Sequence, residues 1–337
     1  MLLLKKEKLI KEVFTIAVVT ESFYIPSKVD GLQLSVMTIT PDCAPIGIVQ
    51  ISHGMCEHKE RYIPIMEFLA SKGFACIIHD HRGHGGSVKS EEDLGYFYQG
   101  GEKGLIADVA LVGTQMKKKH PGLPFYLLGH SMGSLIARAY LKKLDFTLDG
   151  LIISGCPVYV PGCKMGQSIV KFLEAFKGDH GHSKMLDRLS KYKDDGRFAG
   201  EDSPNAWVCS NPDILTEYDN DPLTQFHFTL SGYQALFKTM EMVYSPKGWK
   251  VTKPNLPIWF ISGEDDPCMG SEERFLEAID ILRQVGYDNI SYQIYPHMRH
   301  EVLNETEKEI VWNDLEEKLM MWNQKITDAL SKQLDEE

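Results

Sequence analysis

The sequence predicts an α/β protein: a mainly parallel eight-stranded sheet flanked by helices on both faces and interrupted by a mostly helical insertion. Three observations lead there. Eight short apolar runs rich in β-branched residues recur along the 337-residue chain. From the third onward they alternate with helical patterns, and strands that alternate with helices form parallel sheets covered on both sides. The interval from Cys156 to Lys253 breaks the alternation and holds only helical and loop-like pieces. Residues 1–155 and 254–337 are therefore expected to form the two parts of the core, and residues 156–253 an inserted cap.

In chain order, Phe14–Phe23 and Leu32–Thr38 have no helix between them and predict an antiparallel edge. Ile46–Ser52 leads to the helical Tyr62–Ser71, and Phe74–His79 to Gly104–Lys118. Phe125–Gly129 passes at once into a helix over Ser131–Leu144, followed by the strand Leu151–Ser154. Beyond the insertion come the strand Ile258–Ser262, the helix Glu272–Val285, the strand Ile290–Tyr295 and a long helix over Asn304–Leu330. Ligands of such sheets sit beyond the C-terminal ends of the strands. Within the insertion, Ile169, Phe172, Leu173 and Phe176 fall at helical spacing, and Trp207, Phe226, Phe228, Tyr233, Leu236, Phe237, Met240 and Met242 follow. Most should pack the cap or seat it on the sheet, leaving a few to line an acyl pocket. Lys177–Gly200, rich in Gly, Asp, Lys and His, reads as a loop.

Charge narrows the partners. Lys plus Arg total 36 against 47 Asp plus Glu, and the net charge of −11 repels nucleic acid and anionic lipid. Lys117 to Lys119 follow a helical segment and suit its C-terminus. Seven cysteines, an odd number without Cys-x-x-Cys spacing, predict reduced thiols rather than a disulfide framework or a zinc knuckle. Met1-Leu2-Leu3-Leu4-Lys5-Lys6 reverses the order of a secretory leader, and no apolar run reaches membrane-spanning length. The expectation is a soluble cytoplasmic protein with no stable membrane insertion, though apolar cap residues allow transient lipid contact.

The chemistry concentrates in Gly129-His130-Ser131-Met132-Gly133, a Gly-x-Ser-x-Gly turn between a strand and a helix. A serine on such a turn is forced outward, and the glycines lack the Cβ atoms that would collide. Ser131 is the candidate nucleophile, with the Met132 N–H aimed at the developing oxyanion. A serine hydroxyl needs a base and an acid that orients the base. Gly263-Glu264-Asp265-Asp266-Pro267 follows one strand and Pro296-His297-Met298-Arg299-His300-Glu301 another. Either aspartate and either histidine fits at this point. Ser52-His53-Gly54-Met55-Cys56, a glycine turn after the third strand, offers a second oxyanion donor, the Met55 N–H. The run His79-Asp80-His81-Arg82-Gly83-His84 has the histidine spacing of a binuclear metal site but glycine where the aspartate ligand would stand. It reads as a tight loop, so neither a metal nor a cofactor is expected.

Together, His53-Gly54-Met55-Cys56-Glu57-His58 with Arg61-Tyr62, Asp80-His81-Arg82-Gly83-His84-Gly85-Gly86-Ser87, Gly129 to Ser134 and Met298-Arg299-His300-Glu301 resemble the monoacylglycerol lipase and lysophospholipase branch of the α/β-hydrolase superfamily, over nearly the full length. The resemblance implies Asp266 as the acid, three residues after the glycine that ends its strand, and His300 as the base, before a glutamate. His297 departs from it, standing where relatives carry glycine. The resemblance further implies a serine esterase acting on a single-chain lipid ester, a monoacylglycerol or a lysophospholipid. The same triad suits a general carboxylesterase, a thioesterase or an aminopeptidase; a peptidase would need cap carboxylates, of which Glu201, Asp202, Glu217 and Asp219 are candidates. A catalytically silent binding protein is the rival from outside enzymes. Neither oligomeric state nor acyl-chain length follows from the sequence.

Overall fold

The computed structural model describes residues 16–190 and 196–336. Eight strands form one sheet in the order β1-β2-β4-β3-β5-β6-β7-β8. They are β1 Val18–Pro26, β2 Gln33–Pro41, β3 Gly47–Ser52, β4 Phe74–His79, β5 Phe125–His130, β6 Gly150–Ser154, β7 Ile258–Gly263 and β8 Ile290–Tyr295. The expected antiparallel edge is present: β1 pairs with β2, and β2 with β4, antiparallel, while every other pairing is parallel. The first strand lies a few residues later than expected, and the expected start at Phe14, like the Met1 to Lys6 segment, falls outside the described residues.

Residue-by-residue alternation explains why the central strands read as unbroken apolar runs. Along β5, Phe125 and Leu127 enter one core while Tyr126 and Leu128 enter the other. Along β7, Ile258 and Phe260 face the first core, Trp259 and Ile261 the second. A strand buried on both faces has no polar side to show. The first core is closed by α2 (Gly101–Lys119), α3 (Met132–Leu144) and α8 (Glu272–Val285), through Val109, Val112, Ile136, Leu141, Phe275 and Leu282. The second is closed by α1 (Ile63–Ser71) and α9 (Lys308–Glu336), through Met66, Leu69, Val311, Leu315 and Trp322. Each such fully buried aliphatic or aromatic side chain stabilises the fold by about 1.5–3 kcal/mol.

The order 4-3-5 marks where the chain reverses direction across the sheet. From β3 it steps outward through α1 to β4, then crosses back through α2 to β5. The turns that leave β3 and β5 therefore diverge, opening a crevice at their C-terminal ends. Between β6 and β7 the chain forms α4 (Cys163–Lys177), α5 (Lys184–Ser190), α6 (Pro212–Asn220) and α7 (Leu230–Tyr244). Helix α7 packs on α4, α3 and α2. Two local expectations change. Part of the 177–200 segment is helical as α5, its Leu186 buried in the core. Phe172 and Phe176 are not packed inward but 65% and 76% exposed. The described residues contain no helix long and apolar enough to cross a membrane.

Candidate active site

Ser131 sits between β5 and α3 with φ 52° and ψ −119°, a left-handed conformation costly for any residue with a side chain. Close packing imposes it. A Cβ at Gly129 would lie 2.5 Å from the Gly133 carbonyl oxygen and 2.8 Å from the Ala137 methyl. One at Gly133 would run into the Ser52 carbonyl, at the end of β3. The elbow is thus wedged against the neighbouring strand, and the Ser131 N–H is tied to the Ser154 carbonyl at 2.9 Å.

The turns after β7 and β8 converge beside it. His300 Nδ1 lies 3.0 and 2.9 Å from the two carboxylate oxygens of Asp266. Asp266 is fully buried and also accepts from the Cys268 N–H at 2.8 Å and the Ser262 hydroxyl at 3.2 Å. Burial opposes a charge on either partner, and the pairing outweighs it: His300 is held well above its ordinary value and Asp266 below its own. Gly263 permits the approach, since a Cβ there would strike the Met298 and Arg299 carbonyls. Of the alternatives open in the sequence, Asp265 does not contact the histidine but donates its N–H to the Met298 carbonyl. His297 points outward, its side chain 92% exposed, near Glu264. Its φ of 59° explains why glycine suits that position.

Met55 and Met132 line the same cavity as Ser131 and His300. The N–H groups flanking Met55 are committed: that of Gly54 to Glu57 Oε1, and that of Cys56 to His84 Nε2 at 3.3 Å. Met132 begins α3, where unpaired N–H groups and the helix dipole favour negative charge.

Several site residues escaped the sequence reading. Glu57, Arg61 and Glu301 form a buried network at the cavity wall, with Arg61 on Glu301 at 2.6 and 2.7 Å and on Glu57 at 2.9 Å. Burial works to raise the Glu301 carboxyl, but Arg61 brings it down to about 2. Burial, aided by Glu301, raises that of Glu57. The His130 ring lies tilted against that of His300, 4.7 Å away, and stays neutral, pushed down to about 3 by burial and by the His300 charge. Cys268 Sγ is 3.9 Å from His300 Nε2. All but Cys268 belong to the motifs quoted above; Cys268 gave itself away only by standing two residues after Asp266. The His79 to His84 run forms the expected tight loop, with the His53 ring tilted against that of His81 and edge-on to that of His84. Among the described residues, the metal-ligating atoms that gather within 4.8 Å belong instead to Asp266, Cys268 and His300.

The cavity measures about 380 Å³. Its remaining wall comes from the segment between β6 and β7: Val160, Ile169, Met185, Trp207, Leu236, Phe237 and Met240 among others. Trp207 lies 5.2 Å from the His300 ring.

A sheet of this order, carrying a strained serine at the end of β5 and an aspartate–histidine pair beyond β7 and β8, defines an α/β-hydrolase. The chain belongs to the family described as serine aminopeptidase, S33, which matches residues 44–307. It is 25% identical over 307 residues to the monoacylglycerol lipase of Mycolicibacterium smegmatis, covering 88% of this chain and 96% of that one. It is 25% identical over 271 residues to the phospholipase YtpA of Bacillus subtilis, covering 80% and 93%. A carboxyl esterase from Bacillus coagulans, solved in complex with glycerol, superposes with a TM-score of 0.82 at 26% identity, covering 90% of this chain and 99% of that one. The protein is an enzyme of the lipase and esterase type.

Proposed function

We propose that this chain is a serine hydrolase that cleaves the carboxylic ester of a single-chain lipid, a monoacylglycerol or a lysophospholipid, through an acyl-enzyme. The observation that carries the reading is the Asp266–His300 pair at 2.9 Å, whose histidine lines one apolar cavity with the strained Ser131. Ser131 Oγ attacks the ester carbonyl as His300 Nε2 takes its proton. Asp266 holds the Nδ1–H tautomer and stabilises the imidazolium, which then protonates the leaving alcohol. The Met55 and Met132 N–H groups receive the oxyanion, each worth about 3–4 kcal/mol in the transition state. Water, deprotonated by the same histidine, releases the acid.

The cavity wall supports this substrate class. Ile169, Leu236, Phe237 and Met240 suit one acyl chain, and residues 156–253 act as the cap that covers it. The names of the relatives agree with an acylglycerol or phospholipid ester. An aminopeptidase would need a carboxylate in the cap for the substrate's amino group; the carboxylates that do line the cavity, Glu57 and Glu301, are engaged with Arg61. Glu201 is engaged with Arg299 at 2.9 Å and Asp219 with Asn205 at 2.6 Å, and neither they nor Asp202 and Glu217 are among the described residues lining the cavity. The seven cysteines are thiols, in keeping with a cytoplasmic enzyme.

The test is fatty-acid release from a monoacylglycerol and from a lysophospholipid of equal chain length, by the intact protein and by Ser131→Ala. Release that the substitution abolishes is expected. Folded protein inactive on both lipids would overturn the assignment and direct attention to short esters, thioesters and aminoacyl amides.

A further inference from the structure

The turn after β7 sets a thiol beside the proposed base. Asp266 caps the short 3-10 turn Pro267–Met269 by accepting the Cys268 N–H at 2.8 Å, while the same carboxylate grips His300 Nδ1. One side chain therefore fixes both neighbours. As a result Cys268 Sγ stands 3.9 Å from His300 Nε2, the ring nitrogen left to face the cavity that both residues line.

From this geometry we infer that Cys268 Sγ and His300 Nε2 form an inhibitory site for a thiophilic divalent cation of the zinc type. Zinc–sulfur and zinc–nitrogen bonds of about 2.3 and 2.0 Å bring two tetrahedral ligand atoms to about 3.5 Å, a few tenths of an ångström closer than they stand. The Cys268 proton and the Nε2 proton of the His300 imidazolium leave to solvent as the metal–sulfur and metal–nitrogen bonds form. Asp266 stays outside the coordination sphere because its oxygens already accept from His300, Cys268 and Ser262. A carboxylate behind a metal-bound histidine is the arrangement that fixes the ring and raises its affinity. The remaining coordination positions open into the cavity that both residues line.

The consequence is competition for one lone pair. An ion on Nε2 occupies the electrons that would accept the Ser131 proton, so bound metal silences the enzyme. That effect rests on the proposed role of His300; the binding itself does not.

Two readouts on the full chain keep those apart. Cadmium titration follows the thiolate-to-metal absorption band as the difference between the intact protein and Cys268→Ala. Ester hydrolysis is measured in parallel under buffered free zinc, each variant normalised to its own metal-free rate, with Cys268→Ser as a second replacement should alanine disturb folding. The expected result is one equivalent of cadmium in the difference band, retained in Ser131→Ala, and a half-inhibitory zinc concentration raised more than about tenfold by either replacement of Cys268. Absence of the difference band overturns the site even if the protein proves to hydrolyse a different ester. A band accompanied by unchanged zinc sensitivity overturns the inhibitory role.

Discussion

Arg61 holds both carboxylate oxygens of Glu301, at 2.6 and 2.7 Å, in a pair almost removed from solvent. The same guanidinium reaches Glu57, whose other oxygen accepts the Gly54 N–H. One cation thus joins the turn after β3 to the residue that follows His300. Replacing Arg61 with methionine strands two buried carboxylates, and breaking such a pair from one side costs about 3–5 kcal/mol. Urea denaturation should register a loss of that size. Arg61→Lys should recover only part of it, since a lysine cannot make the two-pronged contact.

The elbow yields a sharper steric prediction. A Cβ at Gly133 collides with the Ser52 and His53 carbonyls, backbone atoms that cannot move without disturbing β3. Gly133→Ala should destabilise the fold by at least about 2–3 kcal/mol and abolish labelling of Ser131 by a fluorophosphonate probe. Gly196, where an added Cβ meets nothing within 4 Å among the described residues, is the control and should change stability by under about 0.5 kcal/mol on replacement by alanine.

Acid should unfold the protein through its buried histidines. Burial holds His79 and His130 down to about 3 and His84 to about 4, and holds His53 and His81 far below the ordinary value, with neighbouring positive charge adding to the effect. Their folded-state values are depressed, so the unfolded chain takes up these protons first. The stability they contribute is present above about pH 6.5 and is lost as pH falls toward the folded values. Each removes up to about 1.4 kcal/mol per pH unit over that interval. Denaturant midpoints measured from pH 7 to pH 4 should fall steeply; a flat profile would contradict the buried neutral cluster.

His58 has the opposite sign. Its ring meets Glu60 and Asp221, each at 2.7 Å, so both nitrogens donate, and these contacts outweigh burial to raise its value. Stabilisation of the folded state by this bridge is complete below about pH 6.5 and lost as pH rises through the raised value. Because Asp221 lies in the inserted segment, Asp221→Asn should lower stability by about 1 kcal/mol at pH 6 and by much less at pH 9. Thermal unfolding at the two pH values reads the difference.

Helix α4 turns apolar residues outward. Met165, Phe172 and Phe176 are 67%, 65% and 76% exposed at the spacing of one helical face, and Met165 also lines the cavity. Phe172→Ser with Phe176→Ser should reduce binding to zwitterionic phosphatidylcholine vesicles while leaving hydrolysis of a dissolved short-chain ester within about twofold, because each phenylalanine exchanges exposed apolar area only at a lipid surface. Equal sedimentation of both proteins with vesicles would count against a lipid-facing role.

Much of the site was legible because its chemistry is local. Gly129-His130-Ser131-Met132-Gly133 carries its turn, its glycines and its helix in consecutive residues, and the structure strains Ser131 there. Asp266 against Asp265, and His300 against His297, were equivalent in spacing and were separated in the sequence only by resemblance. The structure separates them physically: Asp266 and His300 are buried in contact, whereas His297 occupies a left-handed, exposed turn.

The helical stripe in the insertion misled for a related reason. Ile169, Phe172, Leu173 and Phe176 have the period of a core-facing helix, but periodicity states only that a face is apolar, not what lies against it. Here that face runs from the cavity to solvent.

By itself the sequence determined the alternation of strands and helices, the antiparallel edge and the serine elbow, because backbone geometry and apolar periodicity act over a few residues. Only the tertiary structure decided which carboxylate meets which histidine, that Arg61 binds a glutamate 240 positions away, and that Cys268 stands beside His300. Those contacts depend on the order 4-3-5 of the central strands and on how separate loops converge at their ends, and no local pattern encodes a distance between segments that meet only when the sheet is complete.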